Sequence, residues 1–219
     1  MRAGNSSLAV CFLLFALVAL APASAASFLE NGSLEDPLEN FVDTSGNYMQ
    51  LPAGATAITG WNVSLDTVNN IAWAKSPTVD SFSAADGIFS IDLTGFGAES
   101  PNGAIQQSLE GLVSGAEYQF SMDTSVNGLL PIVTVGGITV ALTAGTPFGV
   151  GSTLWTPQSG SFIADSSNPV ITIRNDPLSV QSATFIDNLT LTGPLIPEPT
   201  SLALCGVAAL AGCGLLRPR

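Results

Sequence analysis

The chain has 219 residues, of which 17 are acidic, 5 are basic and none is histidine, so the formal net charge is −12. Three of the five cations, Arg2, Arg217 and Arg219, lie near the ends, and the interior keeps only Lys75 and Arg174. This balance excludes nucleic acid as a partner, because phosphates require clustered Lys and Arg. The absence of histidine removes the commonest general base and the commonest zinc ligand.

The N-terminus has the order of regions found in secretory signals. Arg2 precedes an apolar run over residues 8–20, and the small residues Ala23-Ser24-Ala25 follow. This order predicts a signal peptide over residues 1–25, with a helical apolar part and cleavage after Ala25. We therefore expect the remaining chain to be exported.

The C-terminus carries three elements in order: the motif Pro197-Glu198-Pro199, an apolar stretch over residues 201–216, and a basic end at Arg217 and Arg219. Residues 195–219 resemble the PEP-CTERM sorting signal of bacteria. The resemblance implies that a hydrophobic helix over residues 201–216 anchors the chain in the membrane until an exosortase recognises the Pro-Glu-Pro motif and cuts near it. The protein would then reach the cell surface or the extracellular matrix.

Residues 26–194 form the predicted working domain, which contains no cysteine because Cys11, Cys205 and Cys213 all lie outside it. Short runs rich in Val, Ile, Thr and aromatic residues alternate there with clusters of turn-forming residues. The Gly136-Gly137 pair joins two such runs and signals a tight hairpin. The predicted class is all-β, an antiparallel sandwich or jelly roll. The predicted strands cover residues 58–65, 71–74, 88–93, 103–109, 118–123, 132–135, 138–142, 160–164, 170–174 and 184–192.

Five short motifs in this domain occur in a recognisable order. They are Asn31-Gly32-Ser33-Leu34-Glu35, Ile58-Thr59-Gly60-Trp61, Ala85-Asp86-Gly87 with residues 90–93, Gly103-Ala104-Ile105-Gln106-Gln107, and Phe185-Ile186-Asp187-Asn188-Leu189. Together they resemble the choice-of-anchor C family and the related plant cell-wall domain of unknown function. That resemblance implies a galactose-binding-like jelly roll, noncatalytic and in contact with carbohydrate. Leu34 departs from it, since an aromatic residue is usual there, and residues 39–57 are interpreted as a loop insertion.

The same resemblance implies a structural calcium ion that joins the N-terminal segment to the last strand. The matching positions are Glu35 and Asp187, with backbone carbonyls completing the shell and Asn31 and Asp36 as further oxygen donors. Calcium binds several oxygen ligands, and an acidic domain without cysteine suits it. The alternative is that both carboxylates are solvated or capping residues.

Aromatic side chains are the candidate contacts for sugar rings, and the candidates are Trp61, Trp73, Trp155, Tyr48 and Tyr118. Trp61, Trp73 and Tyr118 lie in predicted strands, where core packing is the expected role. Trp155 lies beside Pro157 in a loop-like context. Trp155 is therefore the predicted sugar-stacking residue.

We expect a noncatalytic, carbohydrate-binding surface or matrix protein whose partners are an exosortase and an extracellular polysaccharide or cell-wall glycan. Without histidine, and with no cysteine in the working domain, a Ser or Cys triad has no base or thiol. Two alternatives stay open. One is a purely structural coat or biofilm protein, and the other is a glycoside hydrolase that uses two carboxylates.

Overall fold

The computed structural model describes residues 27–68, 70–95, 103–126, 129–178 and 183–194. The predicted signal peptide, the sorting tail and both predicted terminal helices lie outside these residues. Within them the structure is built from β-strands, and no helix there is long and apolar enough to cross a membrane.

Thirteen strands follow one another along the described residues. They are β1 (Tyr48–Leu51), β2 (Asn62–Val63), β3 (Ile71–Lys75), β4 (Phe89–Asp92), β5 (Ala104–Ser108), β6 (Glu117–Val126), β7 (Ile132–Val135), β8 (Ile138–Val140), β9 (Thr143–Ala144), β10 (Phe148–Val150), β11 (Thr153–Ile163), β12 (Val170–Arg174) and β13 (Thr184–Thr192).

These strands form two antiparallel sheets that pack into a sandwich. The large sheet has the order β1-β3-β4-β13-β6-β11-β10, with β9 also paired to β11. The small sheet has the order β2-β5-β12-β7-β8. Strands far apart in sequence, such as β4 and β13, lie side by side, so loops from distant parts of the chain meet on the same face. The predicted all-β antiparallel sandwich is confirmed.

The main core lies between the two sheets and follows the two-residue alternation of the strands. Trp73, Tyr118 and Phe120 are at most 1% exposed and belong to one cluster with apolar side chains of the small sheet, such as Ile171. Trp61 joins the same cluster at 2% exposure. Its indole N–H donates to the carbonyl of Asn31 at 3.1 Å, which satisfies the one polar atom of that buried ring. The core roles predicted for these aromatic residues are confirmed.

The N-terminal segment is joined to the last strand by a direct backbone hydrogen bond. The backbone of Gly32 and the N–H of Leu189 form a hydrogen bond of 2.8 Å. A Cβ at Gly32 would overlap the carbonyl oxygen of Leu189, so the close approach requires glycine. Leu34, where the resemblance led us to expect an aromatic residue, is fully buried. Leucine therefore fills this core position.

Two predictions about strands are wrong, and one about a turn is confirmed. Residues 39–57 are more than a loop insertion, because they contain β1, the edge strand of the large sheet. Strand β11 begins at Thr153, seven residues before the predicted strand at residue 160. Gly136 and Gly137 connect β7 to β8 with φ of 58° and 85°, the left-handed values that a two-residue hairpin turn requires.

Candidate binding site

The outer face of the large sheet, turned away from the small sheet, carries a second apolar cluster. Because side chains alternate along a strand, Tyr48 lies on this face while Met49 enters the main core. The outer-face cluster consists of Tyr48, Ala72, Ala74, Trp155 and Phe185, with Phe82, Ala85, Phe148, Val150 and Ala183 packed against it. An apolar outer face is unfavourable in water unless another part of the chain covers it.

The loop between β3 and β4, residues 76–88, covers this cluster. Its Phe82 ring stacks on Phe185 with ring centroids 3.6 Å apart and meets Trp155 edge to face at 5.4 Å. The Ser83 N–H donates to Thr153 Oγ1 at 2.8 Å, and the Trp155 indole N–H donates to the Ser83 carbonyl at 2.9 Å. These contacts fix the first half of the loop against β11.

Two carboxylates hold the second half of the same loop. Asp187 Oδ2 accepts the N–H groups of Ala85 at 2.8 Å and Asp86 at 3.1 Å. Glu35 Oε1 accepts the N–H groups of Ile88 at 2.9 Å and Phe89 at 2.7 Å. Charged acceptors form stronger hydrogen bonds to backbone amides than neutral ones. The loop is therefore anchored from both ends.

A cavity of about 580 Å³ lies on this face, and we call it the outer-face pocket. Three aromatic residues, Tyr48, Phe82 and Phe185, and two acidic ones, Asp80 and Asp92, line it. Several hydroxyl groups do so too: Ser81, Ser125, Ser152, Thr153 and Thr156. None of the described residues that line it is basic. Its size and mixed lining are those of a small-ligand site.

Burial changes the electrostatics of this face. Desolvation raises the pKa of Asp92 to about 6, although the N–H groups of Thr94, Gly95 and Thr184 partly counter it. Desolvation likewise raises the pKa of Tyr48, and the nearby charges of Asp80 and Asp92 add to that effect. Shifted groups that gather beside a cavity are typical of functional sites.

A second group of acids lies under the loop, next to the bulge in β13. Desolvation raises the pKa of Asp187 to about 7, and the neighbouring charge of Glu35 contributes. Burial also raises the pKa of Asp123. The bulge falls between Asp187 and Thr190, and it lets the Asn188 side chain donate to Asp123 Oδ2 at 3.1 Å. The fully buried Asp187 thus holds the loop in place, although burial disfavours its charged form.

The structure corrects the interpretation of Trp155. It lies in β11 and not in a loop, and it is fully buried with its N–H bonded to the Ser83 carbonyl. A ring without exposed area offers no face to a sugar. Trp155 instead supports Phe82 from the outer-face cluster, next to the pocket that it does not line.

The predicted calcium residues Glu35 and Asp187 are brought to the same loop. They fit a cation in charge, because two carboxylates bind one loop and one of them is buried. Their oxygens, however, already accept five N–H bonds, counting Asn188 N at 2.7 Å. The Asn31 side chain bonds the backbone of Asp36 and Thr59, which closes a turn. Among the described residues no three acidic or cysteine side chains form a metal-binding group. Calcium stays a prediction.

Sequence reasoning missed most of the pocket. Of the aromatic residues considered as sugar contacts, Tyr48 does line the pocket, although its segment is interpreted as a loop insertion. The sequence does not single out Phe82 or Phe185 as ligand contacts, and it indicates Asp92 only as part of a strand motif. A further signal is the alternation in β4, where Ser90 and Asp92 place polar groups opposite the buried Ile91.

Comparisons with known proteins show distant similarity. No family model matches the chain. Halomucin of Haloquadratum walsbyi is 29% identical over 198 residues, which are 90% of this chain and 2% of Halomucin. The chain therefore spans only a small part of the length of this curated relative.

Three solved structures are distantly similar to this chain. TmCBM61 in complex with beta-1,4-galactotriose has 14% identity and a TM-score of 0.36, over 62% of this chain and 90% of its own. A CBM4 structure has 14% identity and a TM-score of 0.34, over 76% and 99%. TmCBM27, a carbohydrate-binding module with specific mannan recognition, has 11% identity and a TM-score of 0.32, over 78% and 96%. These similarities are too low to transfer a ligand to this chain.

Replacing Asp92 by Asn should flatten the pH dependence of stability. Because its pKa is raised from 3.8 to about 6, the folded state favours the protonated form. Its contribution is therefore complete below about pH 4 and is lost as the pH rises through 6. Urea unfolding from pH 4 to 8 should show the wild type losing on the order of 2 kcal/mol more than Asp92→Asn. Parallel pH curves would contradict this account.

Calcium at Glu35 and Asp187 can be tested by thermal melting. If the ion binds, a chelator should lower the Tm of the purified protein, and calcium at 100 times its Kd should stabilise it by about 3 kcal/mol. Glu35→Gln keeps an oxygen acceptor for the loop amides but removes the charge, so its Tm should not respond to calcium. The exposed Glu39→Gln serves as the matched control. A wild-type Tm that chelator leaves unchanged means that the calcium prediction is wrong.

Proposed function

We propose that the domain is a noncatalytic glycan-binding module whose ligand occupies the outer-face pocket. The observation that carries this proposal is the composition of the pocket lining, which combines aromatic rings with hydroxyl and carboxyl groups around a cavity of about 580 Å³. Glycans present apolar C–H faces between rows of hydroxyls. They need both kinds of surface within one concave site.

The polar groups of the pocket suit hydroxyl ligands. Serine and threonine hydroxyls both donate and accept hydrogen bonds, whereas a carboxylate accepts from a ligand hydroxyl. Phe82 is half-buried in the pocket wall, so part of its ring remains available to a ligand. The hydrogen bonds of the β3–β4 loop to Thr153 and Trp155 hold this ring in place before any ligand arrives. Such preorganisation lowers the entropic cost of binding.

We propose a noncatalytic role because the carboxylate of Asp92 is already hydrogen-bonded to the backbone. Glycoside hydrolysis requires one carboxyl group as a proton donor and a second as a nucleophile or base. Asp92 accepts hydrogen bonds from the backbone of Thr94, Gly95 and Thr184. These bonds occupy the oxygens of Asp92, so of the two carboxylates that line the pocket only Asp80 is left to act on a ligand, one fewer than hydrolysis requires.

The route to the cell surface is a separate part of the proposal and depends on the terminal motifs. We propose export by the signal peptide at residues 1–25, membrane anchoring by residues 201–216 and exosortase processing at Pro197-Glu198-Pro199. The processed domain would act at the cell surface or in the extracellular matrix. The galactose-binding-like jelly roll likewise stays a prediction. It names a more specific fold than the antiparallel sandwich described above.

Phe82→Ala should weaken glycan binding at least tenfold, because it removes the aromatic wall of the pocket and loosens the stack on Phe185. Binding would be measured by affinity electrophoresis in gels that contain soluble plant and microbial polysaccharides. Leu65→Ala is the control, since Leu65 is 80% exposed and lies outside the pocket. Melting curves must show that Phe82→Ala is folded at the assay temperature. Equal retardation of a folded Phe82→Ala variant and the wild type would exclude this pocket as the site.

Replacing Pro197, Glu198 and Pro199 by alanine should block processing in the producing cell. The variant is expected to accumulate in the membrane fraction at its full tail length, while the wild type appears as a shorter, released or surface-bound form. Immunoblots of cell fractions with an antibody to the domain measure both. Identical sizes and fractions for the two proteins would count against the sorting-tail assignment.

A further inference from the structure

The outer-face pocket carries negative charge from two acidic residues. Asp80 lies exposed in the β3–β4 loop and Asp92 lies at the end of β4, and both line the cavity. Tyr48 lines the same cavity, and the charges of both acids contribute to the raised pKa of its hydroxyl. A ligand that contacts Tyr48 would therefore experience two carboxylates from two different elements.

No cation of the described residues lies in this pocket to offset them. Lys75 Nζ is 5.9 Å from the ring centroid of Phe41, which packs against the main core cluster. Arg174 ends β12 in the small sheet. These are the two cations of the described residues, and neither lines the cavity. No basic side chain among the described residues therefore offsets the negative charge of the pocket.

The position of Asp80 is fixed by its neighbours. The Ser152 hydroxyl donates to the carbonyl of Ser81, the residue that follows Asp80. On the other side, the N–H of Val79 donates to the Gly46 carbonyl at 3.0 Å. The backbone on both sides of Asp80 is thus bonded to other parts of the chain, which holds the backbone of Asp80 beside the pocket.

We propose that the outer-face pocket selects glycans by charge, accepting neutral and amine-bearing sugars and excluding uronic acids and sulfated sugars, with Asp80 as the specificity-determining residue. This inference rests on the proposed glycan-binding function. An acidic sugar would bring a third negative charge beside Asp80 and Asp92, which costs free energy in a partly desolvated site. A neutral hydroxyl can donate to a carboxylate, and an amine gains a further charge attraction.

The test uses a polysaccharide microarray with neutral, amine-bearing, uronic-acid and sulfated members, probed with the purified full-length protein at low ionic strength. The expected result is signal on neutral or amine-bearing glycans and little on acidic ones. Comparable signal on uronic or sulfated glycans would overturn the charge selection while leaving the glycan-binding function intact. Absence of signal on every glycan would overturn the proposed function itself, and this inference with it.

Two variants separate a local effect from the overall acidity of the domain. Asp80→Asn and Asp66→Asn remove the same charge, but Asp66 is exposed and outside the pocket. Asp80→Asn should raise the ratio of acidic to neutral signal about two- to fivefold, the range of an exposed charge pair. Asp66→Asn should leave that ratio unchanged. Equal ratios for the two variants would assign the exclusion to net charge and overturn the role of Asp80.

Discussion

The hydrogen bonds between two carboxylates and the backbone of the β3–β4 loop are the interaction on which the rest of the site depends. Asp187 and Glu35 accept four amide N–H groups from residues 85–89. A buried carboxylate is unfavourable unless donors surround it, and a loop with unpaired amides is unfavourable for the same reason. Here the loop amides donate to the carboxylates, so the hydrogen-bonding needs of both are met. The N-terminal segment, the last strand and the loop are joined in this way at one point.

The pocket follows from this anchoring. An outer sheet face that carries Phe185 and Trp155 would expose a large apolar area if the loop were absent. The loop is long enough to cover the cluster with Phe82 but leaves the adjoining area around Ser125 and Thr156 open. The resulting cavity is lined by both apolar and polar residues. The same covering interaction therefore stabilises the face and shapes the site.

Much of the fold is predictable because it is encoded locally. The alternation in β4, the Gly136-Gly137 turn and the complete spans of β12 and β13 are readable from neighbouring residues. The site is less predictable because it is encoded by long-range pairing. Tyr48 becomes a pocket residue only because β1 pairs with β3.

The strand position of Trp155 is hard to predict for the same reason, because the nearby Pro157 suggests a loop. Pro157 indicates a loop when the sequence is read alone, since proline lacks the N–H that a central strand uses. In the sheet it pairs with Asp123 of β6. On its other side β10 pairs with residues 153–155 and β9 with residues 158–159, so Pro157 falls between the two. The proline is tolerated because on that side residue 157 only accepts a hydrogen bond, from the Gly145 N–H to its carbonyl at 2.7 Å, and needs no N–H of its own. No local pattern could reveal this.

The distribution of acids connects stability to function. The acids whose pKa values burial raises, Asp92, Asp123 and Asp187, all come from strands of the large sheet. Each makes folding less favourable at neutral pH than at mildly acidic pH. For Asp187 this cost accompanies its hydrogen bonds to the loop, and for Asp123 it accompanies the hydrogen bond from the Asn188 side chain. Asp92 is the one of these three that lines the outer-face pocket, where its charge adds to that of Asp80 at the place that a ligand would enter.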